Sequence, residues 1–265
     1  MEKFVMAGDT AIRFADYGKG DRTVVLLHGY LESIEVWEDF GGMLGKSFRV
    51  ITVDLPGHGM STWNEREVIT IDYMAETVAA ILEKADAAQC TVVGHSMGGY
   101  VATALADLYP ELISRLVLFH SSPEADSPEK KQNRLREIAL VEEGKKELLA
   151  TVNPGRGFAA ENLRRFTDTI DELSLQVMMT ENEAIVAVLK GMMERPDRSG
   201  VFAAFPRPRL MVFGRGDNYI PVEAAEALIE KFPDAGHRWL ERSGHMGFVE
   251  EPETSLEILT QFIGE

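Results

Sequence analysis

The sequence predicts an α/β fold, a mostly parallel, doubly covered sheet with helices packed on both faces. Short runs of apolar and β-branched residues alternate along the chain with longer segments of helical periodicity. Most of these runs are continuously apolar, which is typical of parallel strands buried on both faces. The block 122–206 instead carries helical patterns without a convincing strand, and it predicts a helical insertion.

Seven strands are predicted. Residues 12–17 alternate polar and apolar side chains, as a half-exposed strand does. Residues 23–27 form a continuous apolar run, as expected of a central parallel strand. The other five predicted strands are residues 49–53, 90–93, 115–119, 209–213 and 237–240.

Helices are predicted between these strands. Ser33 is a suitable N-cap for a helix over 33–44, because its hydroxyl can accept from a free N–H of the first turn. Another helix starts directly after Ser96 and stops before Pro110. The remaining predicted helices are residues 71–87, 129–142, 145–151, 161–166, 169–179, 182–193, 222–231 and 253–263. We therefore expect a core of residues 1–121 and 207–265 and a helical cap of residues 122–206.

Composition restricts the class of protein. The 265 residues carry a formal net charge of −16, which argues against binding to nucleic acid or to an anionic membrane surface. It also disfavours strongly anionic substrates unless a local basic pocket overcomes it. The N-terminal residues lack the apolar core of a signal peptide, and no apolar run reaches the length of a membrane span. With a single cysteine, Cys90, the chain is expected to be cytoplasmic.

The most informative motif is Gly94-His95-Ser96-Met97-Gly98-Gly99. Because it lies between a predicted buried strand and an Ala-rich helix, Ser96 can occupy a strained turn that exposes its hydroxyl for attack on a carbonyl. The helix would direct its first free N–H groups toward the developing negative charge. The alternative is an ordinary glycine-rich turn with an incidental serine, and the motif alone does not separate the two.

A serine nucleophile needs a base and a carboxylate that orients it. His245 lies in a small-residue loop between the last predicted strand and the last helix, where it can project over the sheet edge. Asp217 follows the strand 209–213, and the nearest positions after the preceding strand, 120–123, offer no carboxylate. Structural roles are expected for His28 and His58, and the side chain of His95 is expected to point away from Ser96. His120 closes a predicted strand, and His237 lies at the start of the last one.

In these features the chain resembles the α/β-hydrolase superfamily. The shared pattern is the order Ser96, Asp217, His245, together with His28-Gly29, Asp54-x-x-Gly-x-Gly-x-Ser61 and Gly244-His245. It spans residues 28–252, nearly the whole chain. The resemblance implies an oxyanion hole formed by the backbone N–H groups of Tyr30 and Met97. It also implies that residues 122–206 form a lid.

The sequence therefore predicts a serine hydrolase that cleaves a small carboxylic ester through an acyl-enzyme intermediate. Hydrolysis of a thioester, lactone, amide or C–C bond by the same three residues remains an alternative. A third possibility is a ligand sensor, because some hormone receptors resemble these hydrolases.

The predicted chemistry requires neither a cofactor nor a metal, and no metal-ligand spacing or nucleotide-binding loop is evident. Substrate contacts are predicted from flexible methionines of the insertion, with helix packing as the alternative role of each pair. These residues are Met178, Met179, Met192 and Met193. The sequence does not indicate the oligomeric state.

Overall fold

A computed structural model describes residues 2–264. Eight strands form one sheet, numbered here in chain order. They are β1 (Glu2–Ala7), β2 (Thr10–Tyr17), β3 (Thr23–Leu27), β4 (Arg49–Val53), β5 (Cys90–His95), β6 (Ile113–Phe119), β7 (Arg209–Gly214) and β8 (Gly236–Leu240).

The sheet has the order β1-β2-β4-β3-β5-β6-β7-β8. From β4 to β8 all neighbours are parallel, whereas β1 and β2 join the edge next to β4 as an antiparallel hairpin. The carboxyl ends of β3, β5, β6 and β7 therefore meet at one edge of the sheet. That edge is where open α/β sheets bind ligands.

Eleven α-helices accompany the strands in the described part of the chain. They are α1 (Glu38–Leu44), α2 (Ile71–Lys84), α3 (Met97–Leu108), α4 (Pro128–Glu142), α5 (Lys146–Arg156), α6 (Thr167–Met179), α7 (Asn182–Glu194), α8 (Ser199–Ala204), α9 (Val222–Lys231), α10 (Gly247–Glu250) and α11 (Pro252–Gly264). Single 3₁₀ turns cover Ile34–Trp37 and Pro110–Leu112. None of the helices within residues 2–264 is both long enough and apolar enough to cross a bilayer.

Two apolar layers hold the sheet between its helices. Successive strand side chains point to opposite faces, so each central strand contributes to both layers. Val25 and Leu27 of β3 pack in the layer with α2 and α3, whereas Val24 and Leu26 pack in the layer with α1 and α11. Continuous apolar runs were the sequence signal for such strands, and the doubly covered sheet predicted from them is confirmed.

The N-terminal end of the first predicted helix differs from the prediction. Ser33 makes no capping hydrogen bond, and the segment begins as a 3₁₀ turn before α1. The free N–H of Ile34 donates instead to Oδ1 of Asp54, 2.7 Å away at the end of β4. Ser33 occupies the predicted N-cap position, but the prediction that its hydroxyl caps the helix was wrong, because a buried carboxylate distant in sequence accepts from the N–H instead.

Other element boundaries also shift. Residues 161–166 form turns where a helix was predicted, and α5 continues through Pro154 to Arg156. Strand β1 and the short helices α8 and α10 were missed. Between β6 and β7 the described chain contains α4 to α8 without a strand. The assignment of residues 122–206 as a separate helical cap stays a prediction.

Candidate active site

Ser96 occupies a strained turn between β5 and α3. Its φ of 50° and ψ of −115° lie outside the conformations that serine normally adopts. The turn is held by hydrogen bonds on both sides, because Ser96 N–H donates to Phe119 O at 3.0 Å and Ser121 Oγ donates to Ser96 O at 2.7 Å. The surrounding structure therefore enforces the conformation in which the serine side chain leaves the backbone path.

Two glycines of the motif are required by close approach of the backbone. A Cβ on Gly98 would lie 2.7 Å from the carbonyl oxygen of His28 and closer still to that of Leu27. A Cβ on Gly94 would overlap the backbone of Gly98 itself. Both contacts are with main-chain atoms, which cannot move aside, so the turn excludes any other residue at these positions.

Asp217 and His245 meet at the same edge of the sheet. Nδ1 of His245 lies 2.8 Å from Oδ2 of Asp217. Oδ1 of Asp217 accepts from the backbone N–H groups of Tyr219 and Ile220 at 2.7 and 2.9 Å. A carboxylate can only accept, so Nδ1 of His245 carries a proton, and in the neutral ring Nε2 has the free lone pair.

His120 is a member of this cluster that sequence reasoning did not single out. Its Nδ1 lies 3.1 Å from Oδ2 of Asp217, and both side chains are fully buried. Its Nε2 has no partner among the described residues. The available signal was topological: His120 follows β6 and Asp217 follows β7, and these neighbouring parallel strands end side by side.

The charge state of the cluster follows from these contacts. Burial raises the pKa of the Asp217 carboxyl, but the charge and hydrogen bond of His245 and the hydrogen bond from His120 outweigh burial and hold that pKa well below its ordinary value. Burial also lowers the pKa of His120 to about 4 against the pull of Asp217. Asp217 is therefore ionised at neutral pH, and His120 is a neutral imidazole that donates from Nδ1.

His95 and Glu32 connect three loops around Ser96. Nδ1 of His95 lies 3.0 Å from Oε2 of Glu32, and Nε2 of His95 lies 2.9 Å from the carbonyl oxygen of His245. The same Glu32 oxygen accepts from Gly29 N–H at 2.6 Å. Since both ring nitrogens face acceptors, His95 donates from both and is an imidazolium. Burial lowers the pKa of His95, but the Glu32 carboxylate outweighs burial and raises it.

The other motif residues shape the loops beneath the site. Nε2 of His28 accepts from Leu55 N–H at 3.0 Å, and its Nδ1 lies 2.7 Å from Gly29 O. Asp54 binds Arg13 at 2.6 Å and accepts from Met60 N–H at 2.8 Å, so it anchors the turn after β4. These contacts agree with the structural roles expected of the two loops.

A cavity of about 450 Å³ opens above this cluster. Ser96 and His245 line it together with Tyr30 and Met97, the two residues predicted to supply oxyanion donors. Met97 is the first residue of α3, and its N–H therefore has no acceptor within the helix. Within residues 2–264, no hydrogen bond joins the side chains of Ser96 and His245, although both face the same space.

Of the four methionines predicted to bind substrate, Met192 lines the cavity. Met178 and Met179 are 39% and 84% exposed and lie outside the lining, and Met193 packs at the edge of the apolar layer. Adjacent helix residues point about 100° apart, so each pair can direct at most one side chain to the same place. Of the four, Met192 alone therefore stays a candidate for contact with substrate.

Metal binding is possible in principle where imidazole and carboxylate groups cluster. Ligand atoms of His120, Asp217 and His245 lie within 4.8 Å of one another. Both imidazoles, however, direct a protonated Nδ1 at Oδ2 of Asp217, so that oxygen is already engaged by two hydrogen bonds. The geometry is that of a hydrogen-bonded acid–base group.

The sheet order, the strained serine turn and the His–Asp pair define an α/β hydrolase. The sequence profile of the α/β hydrolase fold family matches residues 22–252, so the chain belongs to that family.

Three proteins similar to this chain are named as esterases or hydrolases. A pimeloyl-[acyl-carrier protein] methyl ester esterase of Aeromonas hydrophila is 29% identical over 94% of this chain and 97% of that protein. A 2-hydroxy-6-oxononadienedioate/2-hydroxy-6-oxononatrienedioate hydrolase of Escherichia coli is 26% identical over 97% of this chain and 92% of that protein. A malate-bound thermophilic esterase from Thermogutta terrifontis superposes with a TM-score of 0.91 at 28% identity, covering 99% and 98% of the two chains.

Proposed function

We propose that the protein is a serine hydrolase that cleaves a small carboxylic ester through an acyl-enzyme intermediate. The observation that supports this most directly is the 2.8 Å contact between His245 Nδ1 and Asp217 Oδ2. It leaves Nε2 of His245 as a base in the cavity that Ser96 also lines. A nucleophile, a base and an orienting acid are the groups that acyl transfer requires.

Acylation begins when Ser96 Oγ attacks the acyl carbon and its proton passes to Nε2 of His245. The π electrons of the carbonyl move to the oxygen, and the tetrahedral oxyanion forms. When it collapses, the bond from carbon to the alcohol oxygen breaks, and His245 returns its proton to the leaving alcohol. Water then repeats these steps on the acyl-enzyme and releases the acid. Asp217 stays ionised throughout and stabilises the imidazolium.

The oxyanion would lie between the backbone N–H groups of Tyr30 and Met97. Met97 N–H lies at the positive end of the α3 dipole, which adds to the stabilisation of negative charge. Loss of one such donor typically removes about 2.7–4 kcal/mol of transition-state stabilisation. Glu32 supports this arrangement, because its hydrogen bond to Gly29 N–H at 2.6 Å holds the peptide next to Tyr30.

His120 acts in this scheme as a positioning residue. It donates to the Asp217 oxygen that also binds His245, and so it restricts rotation of the carboxylate. Asp217 then accepts four hydrogen bonds, two at each oxygen. A carboxylate held in this way stays ionised and oriented while His245 gains and loses its proton.

A second candidate is hydrolysis of a C–C bond. The relative from Escherichia coli is named as a hydrolase of 2-hydroxy-6-oxo dienedioates, and it aligns with nearly the whole chain. Ester cleavage is preferred because the relative from Aeromonas hydrophila, which has the higher identity of the two, and the similar solved structure are named as esterases. Both candidate activities would use Ser96, Asp217 and His245. They differ in the bond that is cleaved, so only a comparison of substrates can distinguish them.

The test is turnover of p-nitrophenyl esters of short acids beside a 2-hydroxy-6-oxo dienoic acid. We expect a burst of p-nitrophenol followed by steady multiple turnover, and Ser96→Ala should reduce the rate by several orders of magnitude. Multiple turnover also separates an enzyme from a ligand sensor, which would bind and turn over once. Equal activity of Ser96→Ala on every ester would refute the proposal.

A further inference from the structure

One wall of the cavity is polar, and most of that wall belongs to α4. The positions Lys130, Asn133, Arg134 and Glu137 recur at helical spacing and all line the cavity. They are joined there by Tyr30 from the loop after β3. A lid helix that covered a wholly apolar substrate would present apolar side chains here, so this face indicates a ligand with a polar part.

Arg134 brings positive charge to this wall. Its Nε and Nη2 bind the two oxygens of Asp126, the second at 3.1 Å. Asp126 also binds Arg195, whose Nη1 lies 2.7 Å away. Two guanidinium groups thus share one buried carboxylate, which leaves one positive charge in excess. Among the described residues Nη1 of Arg134 has no acceptor, although the side chain is only 15% exposed.

Two further buried polar atoms on this wall have no partner in the part of the chain that the structure describes. They are Oη of Tyr30 and Oε2 of Glu137. Burial raises the pKa of the Glu137 carboxyl, against the opposing effects of Arg134 and Tyr30. The tyrosine hydroxyl can donate a hydrogen bond to a ligand. Buried polar groups without partners are unfavourable, so a ligand that supplies acceptors is stabilised here.

The remaining acidic groups around the cavity do not cancel this charge. Glu32 is already engaged by the His95 imidazolium at 3.0 Å. Glu129 is an exposed residue of the lining, where water screens its charge. Lys130, likewise exposed in the lining, offsets Glu129, and Arg156 of the lining offsets Glu137. Arg134 therefore keeps an excess positive charge at this wall, in a chain whose formal net charge is −16.

We propose that the preferred substrate is an ester that carries a free carboxylate at a distance from the scissile bond. Arg134 and Tyr30 bind that carboxylate, and Lys130 attracts it. The chain between the carboxylate and the ester lies along the apolar side chains of Leu173, Val177 and Met192, which line the same cavity. A substrate hydroxyl in place of the carboxylate would form hydrogen bonds with Tyr30 and Glu137 but would leave the excess charge of Arg134 without a counter-charge. This inference rests on the proposed esterase activity and deepens it.

The experiment compares kcat/KM for monomethyl esters of glutaric, adipic and suberic acid with kcat/KM for methyl esters of monocarboxylic acids of equal chain length. We expect the wild-type protein to prefer the carboxylated ester at one chain length or more. Arg134→Gln should lower the ratio of the two constants by about ten- to a hundredfold, the effect of losing a hydrogen bond to a charged group. Tyr30→Phe and Lys130→Gln should lower the ratio by smaller factors.

The matched control is Lys131→Gln. Lys131 is exposed on the same helix but lies outside the cavity lining, so its replacement removes the same charge as Lys130→Gln without touching the site. Its ratio should equal that of the wild type. Should Arg134→Gln fail to fold, Tyr30→Phe and Lys130→Gln still test the proposal, because both leave the pair of Arg134 and Asp126 intact.

A wild-type ratio near one at every chain length would overturn the carboxylate subsite and leave the esterase standing. An unchanged ratio in Tyr30→Phe and Lys130→Gln, or an equal fall in Lys131→Gln, would overturn it as well. Failure of the proposed function looks different. In that case no methyl ester of either series is hydrolysed in a manner that depends on Ser96.

Discussion

Nδ1 of His120 lies 3.1 Å from Oδ2 of Asp217, the oxygen that also accepts from His245. Two imidazoles thus share one carboxylate oxygen in a site with almost no exposure to solvent. Each donor withdraws some of the negative charge that the other experiences. His120 therefore influences both the orientation of Asp217 and the strength with which Asp217 stabilises a proton on His245.

Removal of the His120 donor should shift the pH dependence of catalysis. In His120→Ala, Asp217 directs more of its charge at His245, the imidazolium is favoured, and the acid limb of kcat/KM moves to higher pH. His120→Asn should restore the wild-type profile, since its amide nitrogen can replace Nδ1 and asparagine tolerates the positive φ of 50°. The measurement is kcat/KM for a p-nitrophenyl ester from about pH 5 to 9.

The titratable side chains that face the His120 ring are Asp217, His245 and His95. The pKa of His120 itself, lowered by burial to about 4, lies below this pH range and does not contribute to the profile. A purely structural role would lower the melting temperature of His120→Ala and leave the acid limb in place. That result would remove His120 from the proposed site.

Asp217→Asn should reduce kcat/KM by about 10⁴-fold while the fold persists. The asparagine amide can present an N–H to His245 and so favour the tautomer whose Nε2 carries the proton, which cannot act as a base. Circular dichroism should show a native spectrum, because the backbone donors Tyr219 and Ile220 still find an acceptor oxygen. Activity within about tenfold of the wild type would mean that another carboxylate orients the base.

The ion pair between Glu32 and His95 should stabilise the folded protein more near pH 6 than at alkaline pH. The pKa of His95 is raised in the folded protein. Its contribution to the free energy of unfolding is therefore complete below its pKa in the unfolded chain, about 6.5, and is lost as pH rises through its pKa in the folded protein. The pKa of Glu32 is lowered by His95 against the effect of burial, so its contribution is lost only as the solution becomes acidic. The pair is therefore strongest near pH 6.

Glu32→Gln removes this ion pair and keeps the shape of the side chain. The melting temperature of the variant should fall further below that of the wild type at about pH 6 than at about pH 8.5, on the two sides of the ordinary histidine value. Groups that titrate elsewhere affect the wild type and the variant equally, so they cancel in the difference between the two melting temperatures. A difference that grows toward alkaline pH would contradict the assignment of His95 as an imidazolium.

Gly98→Ala should disrupt the serine turn. The added Cβ would lie 2.7 Å from His28 O, so β3 and α3 must separate. Since a displacement of about 1 Å can cost about 10²-fold in rate, we expect at least that loss together with a lower melting temperature. Gly42→Ala in α1 is the control, because its Cβ meets nothing within 4 Å and should stabilise the protein by about 0.5–1 kcal/mol. A Gly98→Ala variant as active and stable as Gly42→Ala would contradict the packing described here.

Sequence patterns identified the parallel core well, because buried strands need continuous apolar runs and leave that record locally. β3 and β4 have the predicted bounds, and β7 extends the prediction by one residue. The hairpin strand β1 was missed because its side chains are mostly exposed and show no apolar period. The turns at 161–166 were predicted as a helix because local propensity cannot register the packing around them.

In the candidate site, too, some features could be predicted from the sequence and others could not. Sequence alone determined which residues to examine, Ser96, Asp217 and His245, because a strained turn and the loops after β7 and β8 require particular residue types at particular places. Only the tertiary structure decided that His120 shares the carboxylate and that Glu32 joins His95 to the Gly29 loop. It also placed the polar face of α4 above Ser96. The physical reason is that hydrogen bonds and charge pairs act through space, between site residues up to 150 positions apart, and leave no local period in the chain.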